Sequence, residues 1–185
     1  MPVTRRPNEP RLRELLRSDT REIHQRLDDS VGGFDTREHY ADFVQRSLHF
    51  RAAAEAACAG HPSWAPLLLA DDLRCDLSDL GLSDMPAQGA GLDLATSAAK
   101  LGGLYVLEGS ALGARLLLRR AESLGMTDQN GARHLARQTG DATRWKRFVA
   151  VLDRDDEDAE AVLAGALAVF EHALGTYKEG VHDAA

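Results

Sequence analysis

One histidine stands among residues that can orient it. In RSDTREIHQRLDD (Arg17 to Asp29), His24 is followed four residues later by Asp28 and preceded by Thr20 and Arg17. On an α-helix, Thr20 lies about 40° to one side of His24 and Asp28 about 40° to the other. Arg17, two turns back, is only about 20° away. Asp28 is placed to take the Nδ1 proton of His24, directly or through a water, which leaves Nε2 as a neutral metal ligand. Leu16, Ile23 and Leu27 form an apolar stripe on the Thr20 side, so His24 sits at the border of the buried face. The same pattern also fits an interfacial histidine that Asp28 simply holds.

The second stretch is LGGLYVLEGSALGARLLL (Leu101 to Leu118). Its length and apolar character read as helix, yet each interior glycine costs about 1 kcal/mol relative to alanine. Gly102, Gly109 and Gly113 fall within about 40° of one line, with Val106 on the same line. One face is thereby stripped of side chains. Two explanations stand: close helix–helix packing, or close approach of a flat ligand to bare backbone on a helix able to bend. Tyr105 and Ser110 flank the bare face and offer hydroxyls.

These residues need helices to carry them. Ala, Leu and Arg are abundant and aromatics are only 5%, which favours helix over sheet. The 185 residues suffice for one domain with a proper core. A net charge of −7 argues against tight binding to nucleic acid or an anionic membrane. No uninterrupted apolar run reaches the roughly 18 residues of a membrane span. Cys58 and Cys75 have no metal-ligand spacing, and no signal-peptide pattern opens the chain. A reduced, cytoplasmic protein is expected.

Residues 1–10 read as a disordered start, and 11–180 as one all-α domain of about seven to nine helices. The first helix is expected over about 11–29, stopped by Gly32-Gly33. The second begins at Asp35 or Thr36 and ends near Gly60. Short helices and loops are expected over 61–92, with 84–92 the most mobile. Asp93 is the expected cap of the glycine-bearing helix, running to about 124. Further helices are expected over 129–138, from Asp141 to 152, and from the acidic run Asp153–Asp158 to about 179. No segment alternates with period two.

Together, TxxxHxxLD near the N-terminus and LYVLEGSxLGA near the middle of an all-α chain of this length resemble the bacterial heme oxygenases. The likeness runs from about 11 to 179. It implies a helical fold in which heme lies between a proximal helix and a kinked distal helix. It implies His24 as the iron ligand, with Gly109 and Gly113 as the distal glycines against which heme and its dioxygen rest. Arg17, Tyr105 and Lys146 match positions facing the heme propionates, and Phe170 an aromatic at the heme edge. Ser110 stands where animal members carry a distal aspartate, and Ala150 where some members carry a basic residue.

By the same resemblance heme is both cofactor and substrate. Dioxygen and an external electron donor (a ferredoxin, a reductase or an ascorbate-like reductant) complete the reaction. The products are biliverdin, carbon monoxide and ferrous iron, with a bilin-binding photoreceptor as one possible acceptor. The rival is a carrier or sensor of the same fold that binds heme without degrading it. A ferritin-like di-iron protein is set aside, because it needs Glu-x-x-His motifs on two helices and the sequence lacks such a pair of motifs.

Overall fold

The computed structural model describes residues 11–84, 91–154 and 156–178. The expected disordered start at 1–10 and most of the expected loop at 84–92 lie outside the described residues. The described chain is all-helical, as the composition demands. Its nine helices are α1 (Leu12–Asp19), α2 (Arg21–Val31), α3 (Arg37–Cys58), α4 (Ala70–Asp79), α5 (Ser97–Gly109), α6 (Ala111–Ser123), α7 (Arg133–Gly140), α8 (Arg144–Leu152) and α9 (Ala159–Lys178).

The ends follow local chemistry. Thr36 caps α3 by accepting the His39 N–H at 3.2 Å. Gly32, at φ 58°, stops α2 with a conformation that L side chains rarely adopt. Asp158 receives the Ala161 N–H at 2.8 Å at the start of α9, so the acidic run does place a carboxylate there. One expected cap is wrong: Thr96, not Asp93, caps α5, accepting the Ala99 N–H at 3.1 Å. The seventh helix also lies later than expected, at Arg133–Gly140, because the turn around Thr127 to Gly131 occupies the earlier residues.

Two expected continuous helices are each divided. The first is interrupted at buried Thr20, whose hydroxyl donates to the Leu16 carbonyl at 2.7 Å. The glycine helix is interrupted at Ser110, whose hydroxyl donates to the Leu107 carbonyl at 2.7 Å. Hydroxyls that bond back to a carbonyl one turn earlier compete with the helix ladder and bend it.

The most extensive helix pairing joins α5 to α9. It is made at glycine. A Cβ at Gly102 would lie 1.9 Å from the Val162 carbonyl oxygen, and one at Gly165 would lie 2.1 Å from that of Ala99. Each backbone rests where the other would have a side chain. By mean hydropathy and length, α9 and the α5–α6 rod are apolar enough to cross a membrane, contrary to the simple count of apolar runs. Here α5 and α9 bury apolar surface against one another. Around them α1, α8 and part of α3 close one core, with Leu16, Leu101, Leu104, Phe148 and Val169 inside. A second core, with Tyr40, Val44, Leu73, Leu77 and Leu135, lies among α3, α4, α6 and α7.

Buried charge joins the second core together. Asp76, fully buried, accepts the N–H groups of Arg133 and His134 at 3.0 Å each, which caps α7. It also receives His134 Nδ1 at 2.7 Å. Burial pushes the Asp76 carboxyl up, but the His134 side-chain and backbone hydrogen bonds outweigh it and hold it below the usual range. Burial keeps His134 below its ordinary value, against the pull of Asp76.

Gly102→Ala or Gly165→Ala is expected to lower the unfolding free energy by about 3 kcal/mol, because backbone cannot yield as a side-chain tip does. Urea denaturation measures this; a loss under about 1 kcal/mol would contradict the contact. His134 gives a pH signature. Its folded pKa lies below the ordinary 6.5, so the unfolded chain takes up the proton first. Its contribution is therefore complete above that value and declines as pH falls through it. His134→Asn, which keeps a donor toward Asp76 without titrating, should flatten the fall in urea midpoint between about pH 7 and 5.

Candidate functional site

The imidazole of His24 is carried by α2 and is more than half exposed, with Nδ1 at 3.0 Å from Asp28 Oδ2. That contact is the one the four-residue spacing on a helix predicts. It leaves Nε2 as the second ring nitrogen. The ring lies edge-on to Phe170 of α9, with centroids 5.7 Å apart. Phe170 is itself buried. It therefore supports the imidazole from beneath, and its ring is not an open edge. Ile23 and Leu27 anchor the rest of α2 in the first core.

The glycines divide into two groups. Gly102 belongs to the α5–α9 contact, and Gly103 is crowded by Cys58, Leu94 and Val169. Both are packing glycines. Of the two explanations open for the glycine face, close helix–helix packing is the one that accounts for Gly102. At Gly109 a Cβ would meet only the Trp145 ring, at 3.8 Å, an ordinary contact. At Gly113 a Cβ would meet nothing within 4 Å. Among the described residues no neighbour requires glycine there, so their packing does not explain it.

Two ties hold α2 alongside the α5–α6 rod. At one end the Tyr105 side chain lies against Thr20 and the charge of Arg17. Burial raises the Tyr105 pKa, while Thr20 and Arg17 pull against that rise. At the other end Arg120 Nη1 reaches the Gly32 carbonyl at 3.4 Å, and its guanidinium covers Gly33. Between the ties, α2 spans roughly 18 Å of helix and the distal rod roughly 22 Å. His24 and Asp28 lie within the first span, Gly109 and Gly113 within the second. The longer arm carries the break at Ser110. The histidine thus lies on α2 and the exposed Gly113 on the α5–α6 rod, with Arg17 and Tyr105 together at one end.

Lys146 is exposed on α8, a helix that packs on both α1 and α5. The structure thus brings its helix, though no contact of its side chain, to the Arg17–Tyr105 end. Ala150 is exposed one turn further along. Ser110 does not act as a free hydroxyl: it donates to Leu107 and accepts from Gln138 Nε2 at 2.7 Å. Among the described residues no cluster of three His, Cys, Asp or Glu side chains is placed to bind a metal. Cys58 is buried, its thiol pushed up to about 12, and is unsuited to nucleophilic chemistry.

Several contributors escaped sequence reading. Trp145 packs against Gly109 and Tyr105, with ring centroids 5.9 Å apart for the latter pair. Buried Glu108, beside Gly109, takes a two-pronged contact from Arg144, Nε and Nη2 both at 2.7 Å, and the Trp64 indole N–H at 3.0 Å. The signal for Glu108 was a lone charge inside an apolar helix. Nothing local to Arg144 or Gln138 announced them.

Comparison with known proteins gives the chain a family. No protein-family profile matches the chain. The chain is 39% identical over 160 residues to heme oxygenase PigA of Pseudomonas aeruginosa, covering 76% of this chain and 79% of that protein. A heme oxygenase of Xanthomonas campestris pv. campestris is 36% identical over 104 residues, covering 54% of this chain and 61% of that one. The fold superposes on the crystal structure of NO- and CO-bound heme oxygenase from Neisseria meningitidis with a TM-score of 0.78. There the identity is 27%, over 92% of each chain. With these relatives taken together, the chain belongs to the heme oxygenase family.

Proposed function

We propose that the chain binds heme in the cleft between α2 and the α5–α6 rod, with His24 Nε2 as the protein ligand to iron, and degrades it to biliverdin. The observation that carries this reading is the openness of Gly113, a helix position with no crowding neighbour among the described residues, in a chain whose relatives are heme oxygenases. Heme supplies the iron that activates dioxygen and the porphyrin ring that is opened, yielding carbon monoxide and ferrous iron beside the bilin.

The residues present fit that group. Asp28 fixes the His24 tautomer by accepting the Nδ1 proton, which turns the Nε2 lone pair toward the iron. Phe170 limits rotation of the imidazole. Ile23 and Leu27 give α2 an apolar base that excludes water on that side. On the distal wall, bare backbone at Gly109 and Gly113 leaves room for a small reactant and its ordered water. Steric placement of that kind lowers barriers by orientation. A strong acid there would favour O–O cleavage; Ser110 is not one, and its proton is committed to Leu107. Arg17 and Tyr105 supply charge and a hydroxyl for the heme carboxylates, with Lys146 close by on α8.

Electrons come from an external donor of the ferredoxin, reductase or ascorbate class. The protein is cytoplasmic in this reading, and a bilin-binding photoreceptor is a candidate acceptor for the product. A carrier of the same fold would bind heme and leave it intact.

Mixing the protein with hemin should produce a Soret band, and reductant with oxygen should convert it to a biliverdin spectrum. A stable hemin complex under those conditions would favour the carrier. His24→Ala should lose the histidine-ligated spectrum, with added imidazole restoring it; an unchanged spectrum would assign the ligand elsewhere. Gly113→Leu should leave the fold intact or up to about 1 kcal/mol more stable, since leucine favours helix over glycine. The same substitution should cut turnover on the order of 100-fold by filling the space above the heme. Thermal melts and single-turnover spectra test the two halves separately.

A further inference from the structure

The break in the distal rod is held from outside. Ser110 Oγ donates to the Leu107 carbonyl at 2.7 Å, and Gln138 Nε2 donates to Ser110 Oγ at 2.7 Å. Because the Ser110 proton is committed to Leu107, the amide must present its N–H, which sets the orientation of Gln138. Gln138 belongs to α7, and α7 is no loose strut. Its first two N–H groups end on buried Asp76, and Arg133 adds a guanidinium contact to the same carboxylate at 3.2 Å. The loop before it is fastened too, with Gly131 N–H on Asp79 at 2.9 Å and the Tyr40 hydroxyl on the Gly131 carbonyl at 2.6 Å. One turn from His134, Gln138 is delivered to Ser110 from a rigid base.

We propose that Gln138 is a positioning residue for the distal rod. Its amide holds Ser110 in the back-bonded rotamer, which fixes the break between α5 and α6 and so sets how Gly109 and Gly113 face the cleft. The proposal deepens the heme-degrading reading and rests on it for its chemical consequence. Asp76 and α7 then serve the site at a distance, through one hydrogen bond. Asp76 itself lies in the second core, and α7 reaches the rod by packing on α6 and through Gln138.

Hydrogen exchange on the heme-free protein tests the mechanical part. Gln138→Ala, Gln138→Glu and Ser110→Ala should each speed exchange of the amides over residues 109–115, about five- to tenfold, the loss of one such hydrogen bond. Gln138→Glu removes the N–H donor at nearly constant size, so a packing effect is separated from the bond. The Gln138→Ala/Ser110→Ala double variant should exchange no faster than Ser110→Ala alone, because the two act through one contact. With hemin, reductant and oxygen, both single alanine variants should shift the ratio of biliverdin isomers while hemin affinity stays within about twofold. Unchanged exchange in Gln138→Ala, additive effects in the double variant, or an unchanged isomer ratio would overturn the proposal. Should the parent protein leave hemin intact, the heme reading fails, and the exchange data still decide whether Gln138 holds the break.

Discussion

The backbone contact between α5 and α9 is the constraint on which the rest depends. Gly102 and Gly165 let two apolar helices approach until the carbonyl of one occupies the space of the other's missing side chain. That closeness places Phe170 of α9 beneath the α2 histidine and Tyr105 of α5 against Thr20. A larger separation would move both walls of the cleft. The glycines that cost helix propensity upstream therefore contribute precision downstream.

A single run of sequence thus carries glycine for two unrelated reasons. Gly102 and Gly103 are required by neighbours; Gly113 is required by none among the described residues. The division falls near Ser110, where the helix changes partner. Before it, α5 is packed into the first core. After it, α6 joins α7 and the second core, leaving Leu112 and Leu116 exposed. Bending is natural at such a junction, since the two halves answer to different packing surfaces.

Three buried carboxylates hold the helices that frame this rod. Glu55 accepts Arg51 Nε and the Leu69 N–H, both at 2.8 Å, at the start of α4. Asp76 caps α7, and Glu108 grips Arg144 of α8. Burying a carboxylate is costly unless its oxygens are fully used. Each of these uses them on donors from a second element. Their benefit is geometric: they fix where α4, α7 and α8 begin, and α7 and α8 both abut the glycine break.

The sequence by itself determined the helical class, most helix ends, the His24–Asp28 pair and the absence of side chains at Gly109 and Gly113. These are local properties, set by periodicity, capping and the absence of side chains, and they can be read from spacing alone. The interruptions at Thr20 and Ser110 were not legible, because a serine or threonine in a helix bends it only when its hydroxyl turns inward, and neighbours decide that. The purpose of each glycine, the buried position of Phe170, the Glu108–Arg144 pair and the grip of Gln138 on Ser110 were likewise settled only by tertiary structure. Each joins residues from 28 to 146 positions apart. Nothing in either local sequence records which distant surface it will meet.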